Sequence, residues 1–314
     1  MNCRHLFLAL LFAHAVFAAY ATPPTRVMWV YETPELLRSQ PARAELIEFC
    51  KPREITDLFL QVHFVGKTKD EPLTIEGAAE LKTLLREAKA NGLRVHALAG
   101  DPGDTLRRNH ERVLRRVEAL AVFNESAPPE ERFAGVHFDI EPHALREWAK
   151  ASDSEKAELL TQLVEVNAKV VERLHARAPG VIYGADITFW FDKTKPDGTP
   201  VFPVTFCGVT ADPTQHLLGL ADHLALMSYR GAAEGKNGLI GIVARSIAAA
   251  DAAKGRVFVG VKMAKIGPGN ESFYGRTEQE MMTELRKVDA AYSEHPGYAG
   301  IAYFMYGAFK AMPR

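Results

Sequence analysis

Cysteine is scarce, with three in 314 residues. That excludes a small fold stapled by several disulfides and the paired-cysteine ligand sets of structural zinc modules. Cys3 falls in a leader-like segment, and Cys50 and Cys207 read as two separate buried thiols. Net charge of either sign is also lacking: 38 Lys and Arg stand against 39 Asp and Glu. Without a basic face, nucleic acid is not an expected partner. Arg107-Arg108 and Arg115-Arg116 share a helical stretch with Glu111 and Glu118 and read as a solvated face. After the N-terminal segment no apolar run reaches the ~20 residues of a membrane-spanning helix. Glycine is missing from Trp29-Val30-Tyr31-Glu32-Thr33, where a dinucleotide-binding open sheet usually carries its phosphate loop. No internal repeat, low-complexity tract or linker divides the chain.

What is present begins with a leader. Arg4 supplies a positive start, Leu6 to Ala18 an apolar run, and Ala19-Tyr20-Ala21 a small-x-small cleavage site. Residues 1–21 are therefore expected to be a signal peptide, the protein to be exported to a periplasm or the outside, and residues 22–314 to form one domain. The composition, 47% hydrophobic and 25% charged, is that of an ordinary globular protein able to bury a sizeable core.

Along that domain, strand-length apolar segments alternate with amphipathic helical ones. Strands are predicted at Val27–Tyr31, Ile55–Phe64, Leu93–Ala99, Gly135–Ile140, Val181–Phe191, His223–Tyr229, Val257–Met263 and Gly300–Tyr306. Helices are predicted at about 34–51, 75–90, 105–123, 154–178, 240–253 and 277–291, with Ser152 or Asp153 capping the long one. Parallel strands need such crossovers, and eight units are the number that closes a barrel. The expected fold is a single (β/α)8 TIM barrel, with a doubly wound open sheet as the runner-up. Asp192 to Pro213 is a long connection, expected to form a lid or a wall of the site.

In a barrel, chemistry sits at the C-terminal strand ends. Those ends carry Trp29 on strand one, His96 on strand three, Asp186 and Trp190 on strand five, Tyr229-Arg230 after strand six, Lys262 on strand seven and Tyr306 on strand eight. Polar and aromatic residues in such positions are poor core material and suggest a pocket that binds sugars. For Trp29 and Trp190 two roles stand open, stacking on a sugar ring or filling the barrel. Strand four carries the strongest signal. His137, Asp139 and Glu141 alternate along one face, while Val136, Phe138 and Ile140 point the other way. Close, desolvated carboxylates raise one another's pKa, which keeps an acid protonated for general-acid work. A buried polar network that only fixes the barrel is the alternative. His137, Asp139, Glu141 and His143 have ligand chemistry, but their spacing matches no metal motif, so neither metal nor cofactor is expected.

Gly135-Val136-His137-Phe138-Asp139-Ile140-Glu141 resembles the fourth-strand signature D-x-x-D-x-D-x-E of glycoside hydrolase family 18, the chitinase-like barrels. Met227-Ser228-Tyr229-Arg230 resembles that family's M-x-Y-D/N segment, and Gly300 to Tyr306 its last strand without the usual tryptophan. The resemblance implies substrate-assisted retention on an N-acetylhexosamine-containing oligosaccharide or polymer. Glu141 would be the acid and later the base, Asp139 would orient the 2-acetamido group, and Tyr229 would hydrogen-bond its carbonyl oxygen. The first two aspartates of the pattern are Ala134 and His137 here, with His137 a possible partner for Asp139, and Arg230 stands for the usual Asp or Asn. These departures suggest an unusual substrate, another mechanism, or a carbohydrate-binding barrel without catalysis.

Overall fold

The computed structural model describes residues 24–66 and 71–314; the expected signal peptide lies outside them. Eight parallel strands close into a barrel: β1 (Thr25–Val30), β2 (Ile55–Gln61), β3 (Arg94–Ala99), β4 (Gly135–Phe138), β5 (Ile182–Ile187), β6 (His223–Leu226), β7 (Val257–Lys262) and β8 (Tyr298–Phe304). Each pairs with its neighbours in sequence, and β8 returns to β1. The fold is thus the single (β/α)8 barrel expected from the alternation. No helix among the described residues is long and apolar enough to cross a membrane.

The helices in chain order are α1 (Thr33–Arg38), α2 (Gln40–Cys50), α3 (Ala78–Ala90), α4 (His110–Glu125), α5 (Asp153–Arg177), α6 (Pro213–Leu218), α7 (Leu239–Ala253), α8 (Glu278–Tyr292) and α9 (Tyr306–Lys310). The segment expected as one helix over 34–51 breaks at Ser39, which is extended and caps the amide of Ala42. Pro41 causes the break: it has no N–H, and its ring would meet the carbonyl four residues back. Capping boxes, Ser152 with Glu155 and Thr277 with Glu280, start α5 and α8.

Leu, Val and Ile on the outer strand faces, including Val136, Phe138 and Ile140, bury against the helices in one continuous core. A second, smaller cluster fills the barrel, with Val27, Trp29, Phe59 and Leu98 among its members. Several outlying expectations change. His110, on the helix that carries the arginines of the solvated face, is buried; its Nε2 contacts the Thr105 carbonyl at 2.9 Å and its Nδ1 the Lys169 ammonium at 3.1 Å. Arg116, read as part of a solvated face, pairs at 2.5 Å with the fully buried Asp104. Cys50 is a buried free thiol, whereas Cys207 is only half-buried, in the left-handed turn of a hairpin. That hairpin, Val204–Phe206 with Val209–Ala211, lies within the long connection Asp192 to Pro213, and α6 starts at its last residue, where no helix was predicted.

Strand register explains the polar interior. Gly184 on β5 pairs with His137 on β4 and with His223 on β6, and all three face inward. A Cβ on Gly184 would stand 2.1 Å from His223 Nε2 and 2.4 Å from His137 Nδ1. Gly135 does the same for His96, whose Nδ1 would lie 2.3 Å from an added Cβ. The glycines therefore leave room for three buried imidazoles. We expect Gly184→Ala to destabilise the protein by about 1–3 kcal/mol or more through overpacking, read as a lowered midpoint in chemical denaturation.

Candidate active site

The barrel interior is layered. At its lower end Asp57 Oδ1 bonds His96 Nε2 at 2.8 Å, and Arg94 pairs with the same carboxylate. Burial pushes the Asp57 carboxyl up, but its hydrogen bonds to His96 and Arg94 and the Arg94 charge outweigh this and hold it at about 2. His96, expected to face substrate, is 2% exposed in this lower layer. Its partner on β2 draws it away from the mouth and out of the substrate-facing set.

Phe59 forms the next layer. Its ring stacks on His137, with centroids 3.8 Å apart, and lies parallel to His223 at 5.6 Å. His137 Nδ1 and His223 Nε2 are 3.2 Å apart, so one of them donates to the other. His137 Nε2 meets Asp186 Oδ1 at 2.9 Å, and Trp29 Nε1 donates to Asp186 Oδ2 at 3.2 Å. Two readings are corrected here. His137 partners Asp186 rather than Asp139, because it faces the barrel interior beside Gly184 of the neighbouring β5, and Asp186 is the next inward-facing residue of that strand. Trp29 is 1% exposed and fills the barrel, so it has no open ring face for a sugar.

Above this layer lies the C-terminal mouth. Asp139 follows β4, held by its amide on the Ala99 carbonyl at 2.9 Å. Pro142 ends the extended run, and Glu141 turns to the rim as the residue preceding a short 3-10 segment. There it is half-buried, with Oε2 3.0 Å from His143 Nε2. The Asp139 carboxyl has its pKa raised well above the usual carboxylate range. Burial is the main cause, followed by the charges of Asp186 and Glu141 and by hydrogen bonding to Glu141. Its Oδ1 is buried without a hydrogen-bond partner among the described residues. Asp186 is also raised, by burial first, against the lowering effect of the Trp29 N–H.

Tyr229 completes the group from beyond β6. Burial and then the charges of Asp186 and Asp139 push its hydroxyl well above its ordinary pKa, with smaller effects from Tyr31 and Glu141. Asp139, Glu141 and two phenols therefore share the mouth, above the buried carboxyl of Asp186. Tyr31, noted at a strand end without a role, is the second phenol. Its signal was visible, since it lies two residues after Trp29 on the inward-facing alternation. Phe304 is the other addition, touching Trp29, Tyr31 and Tyr229 at centroid distances of 5.5–5.9 Å. It takes the place expected of Tyr306, which lies outside the barrel in α9 against Phe49 of α2. A cis peptide joins Phe304 to Met305 there.

The rim has two contrasting sides. Trp190 is half-buried beside His143, Trp148, Phe191 and Phe202. Phe202 comes from the long connection after β5, which therefore walls the site. On the other side, Arg230 and Lys262 stand near Glu271. Among the described residues no group of three or more His, Cys, Asp or Glu side chains is arranged to hold a metal ion.

The buried histidines make stability depend on pH. Burial holds His137 and His223 well below the usual imidazole pKa, so both are neutral in the folded protein. In the unfolded chain they titrate near pH ~6.5. Above that, both states are neutral and the folded state carries no penalty. As pH falls through ~6.5, only the unfolded chain gains protons, and stability drops by about 1.4 kcal/mol per pH unit per histidine. Asp139 and Asp186, with raised pKa values, act in the opposite sense. We expect His223→Phe to lessen the loss of melting temperature between pH 7.5 and 5.5; a slope equal to wild type in scanning calorimetry would sink this account.

No family model matches the chain, and no curated protein matches it. Solved structures do share its fold. The spore cortex-lytic enzyme SleL of Bacillus cereus matches with TM-score 0.54 and 12% identity, over 91% of this chain and 72% of that one. A chitinase from Bacteroides thetaiotaomicron matches with TM-score 0.54 and 11% identity, over 91% of each chain. The β-galactosidase of the psychrophilic Marinomonas ef1 matches with TM-score 0.57 and 12% identity, over 90% of this chain and 54% of its own length. At such identities the likeness defines a class of fold, the TIM barrel found in chitinases and other glycoside hydrolases.

Proposed function

We propose that this protein is an exported glycoside hydrolase that cleaves an N-acetylhexosamine-containing glycan with retention, using the substrate's own acetamido group as nucleophile. The observation that carries the reading is the pair of carboxyls Asp139 and Glu141 at the barrel mouth, with the Tyr229 phenol in the field of both. Glu141 is at the rim, where it can reach a leaving-group oxygen. Asp139 presents a buried, unpartnered oxygen suited to accept an amide N–H.

In the first step Glu141 protonates the glycosidic oxygen as the C1–O bond breaks. The acetamido carbonyl oxygen bonds to C1, giving a cyclic oxazolinium ion. Asp139 orients the amide and takes up its positive charge, and Tyr229 donates to the carbonyl oxygen. Water then attacks C1, Glu141 takes its proton, and the ring of the intermediate opens. This is a known exception to the scheme with two enzymic carboxylates. His137 is bonded to Asp186, so the charge that acts on Asp139 from the layer below is that of Asp186 on β5 rather than of a strand-four aspartate.

Two other readings rest on the departures at Ala134, His137 and Arg230: a carbohydrate-binding barrel without turnover, and a hydrolase of a different glycan by another mechanism. Matched oligosaccharides with and without the 2-N-acetyl group discriminate the three. Release of reducing ends that falls at least about 100-fold on N-deacetylation, with the β-anomer formed first from a β-linked substrate in NMR, supports the proposal. Equal rates on both would replace it with the different mechanism, and binding without release would leave a binding barrel.

A further inference from the structure

The basic side of the mouth has charges that the proposed chemistry does not use. Lys262, the last residue of β7, has a side chain only 6% exposed. Its ammonium makes no hydrogen bond among the described residues; the nearest carboxylate is Glu271 Oε2, at 3.8 Å. It lies 5.1 Å from the centre of the Tyr229 ring, so it faces the sugar side of the barrel. Arg230, next to Tyr229, spends one N–H on the Tyr229 carbonyl at 2.6 Å and lies 5.0 Å over Phe189. Its Nε is buried without a partner, and Nη1 is 3.7 Å from Glu271 Oε1.

One carboxylate therefore straddles two cations, an oxygen toward each, without hydrogen-bonding either. Burying an ammonium and a guanidinium is costly unless they are paired and hydrogen-bonded. Glu271 offers charge compensation and no more. It sits in a short 3-10 segment of an exposed loop whose Gly267 has φ +77°. That loop is the only source of a carboxylate within 4.0 Å of either cation among the described residues. A carboxylate arriving from the mouth could sit closer and make the direct bonds.

We infer that Arg230 and Lys262 form an anionic subsite beside Tyr229, which takes a sugar bearing a carboxylate, with Glu271 as the carboxylate it displaces. The inference rests on the glycan-hydrolase reading above and names its substrate class: an acidic, N-acetylated glycan rather than a neutral one. Arg230 stands where the resembling family has Asp or Asn, and the change of sign there fits a change in substrate charge. Among anions a carboxylate is favoured, because a carboxylate already spans the pair.

Binding tests this without turnover. Glu141→Gln protein would be titrated calorimetrically with hyaluronan oligosaccharides and with muramic-acid-containing peptidoglycan saccharides, each as free acid and as methyl ester. At least one free acid is expected to bind about 10-fold or more tightly than its ester. Lys262→Met and Arg230→Gln should bring that ratio toward one, and Glu271→Gln, an exposed-loop change that leaves the barrel intact, should raise it several-fold. An acid-to-ester ratio near one, or an acid affinity lowered by Glu271→Gln, overturns the subsite while leaving the glycan reading in place. A 6-O-sulfated chitotetraose that binds more tightly than every free acid would assign the pair to sulfate and overturn the carboxylate. Failure of all these saccharides and of neutral chitotetraose to bind would remove the glycan reading and the subsite together.

Discussion

Glu141→Gln is expected to lower hydrolysis of a susceptible glycan by about 10²–10⁴-fold, the range of a lost general acid. The amide keeps the size of the side chain and can still accept from His143, so the 3.0 Å contact and the local turn survive. What goes is the proton for the leaving group. The binding affinity for the intact glycan should change little, since the ring contacts come from elsewhere in the mouth. Reducing-end release with wild type and variant, beside their melting curves, checks both halves. Full turnover in the variant would move the acid away from Glu141. Asp186 is not an available substitute, being 4% exposed beneath the mouth and already occupied by His137 and Trp29.

The second large effect is on stability. Asp186→Ala would leave His137 Nε2 and Trp29 Nε1 without their partner in the closed interior of the barrel. Each unsatisfied buried group costs about 1–3 kcal/mol, so the variant is expected to lose about 2–6 kcal/mol, a large share of a typical folding free energy. Asp186→Asn should lose far less. Its carbonyl oxygen can accept from Trp29 and its amide can donate to His137, which then exchanges tautomers with His223 along the 3.2 Å contact. Urea denaturation of the pair separates the two cases. Equal losses would show that the carboxylate's charge, and not its hydrogen bonding, holds the network.

These two residues also show how far the residues' order along the chain reaches. Glu141 was legible: it ends an alternating strand, a proline follows, and a D-x-E pair stands where a barrel keeps its chemistry. Asp186 was legible as a strand-end carboxylate, but not as the partner of His137. Pairing between side chains of two strands depends on which strands become neighbours and on their stagger. The residues concerned are 49 apart in the chain. Tyr306 and His96 failed for the same reason. Both were read as facing the mouth from their place near a strand. Tyr306 lies one turn too far, in a helix packed on α2, and His96 sits too low, bonded to Asp57.

By itself the sequence determined the eight strands and the longer helices between them, though not α6 or α9, because strand-length apolar runs and period-3.6 helical faces are local properties of the chain. It also determined that strand four would turn Asp139 inward and leave Glu141 at its end, since alternation and Pro142 act within a few residues. Only the tertiary structure decided that Gly135 and Gly184 would make room for three histidines, because that depends on register between strands. Only the pairing of β6 with β7 brought Lys262 and Glu271 beside Tyr229 and Arg230, since charges on two separate segments acquire a common field only when their strands become neighbours.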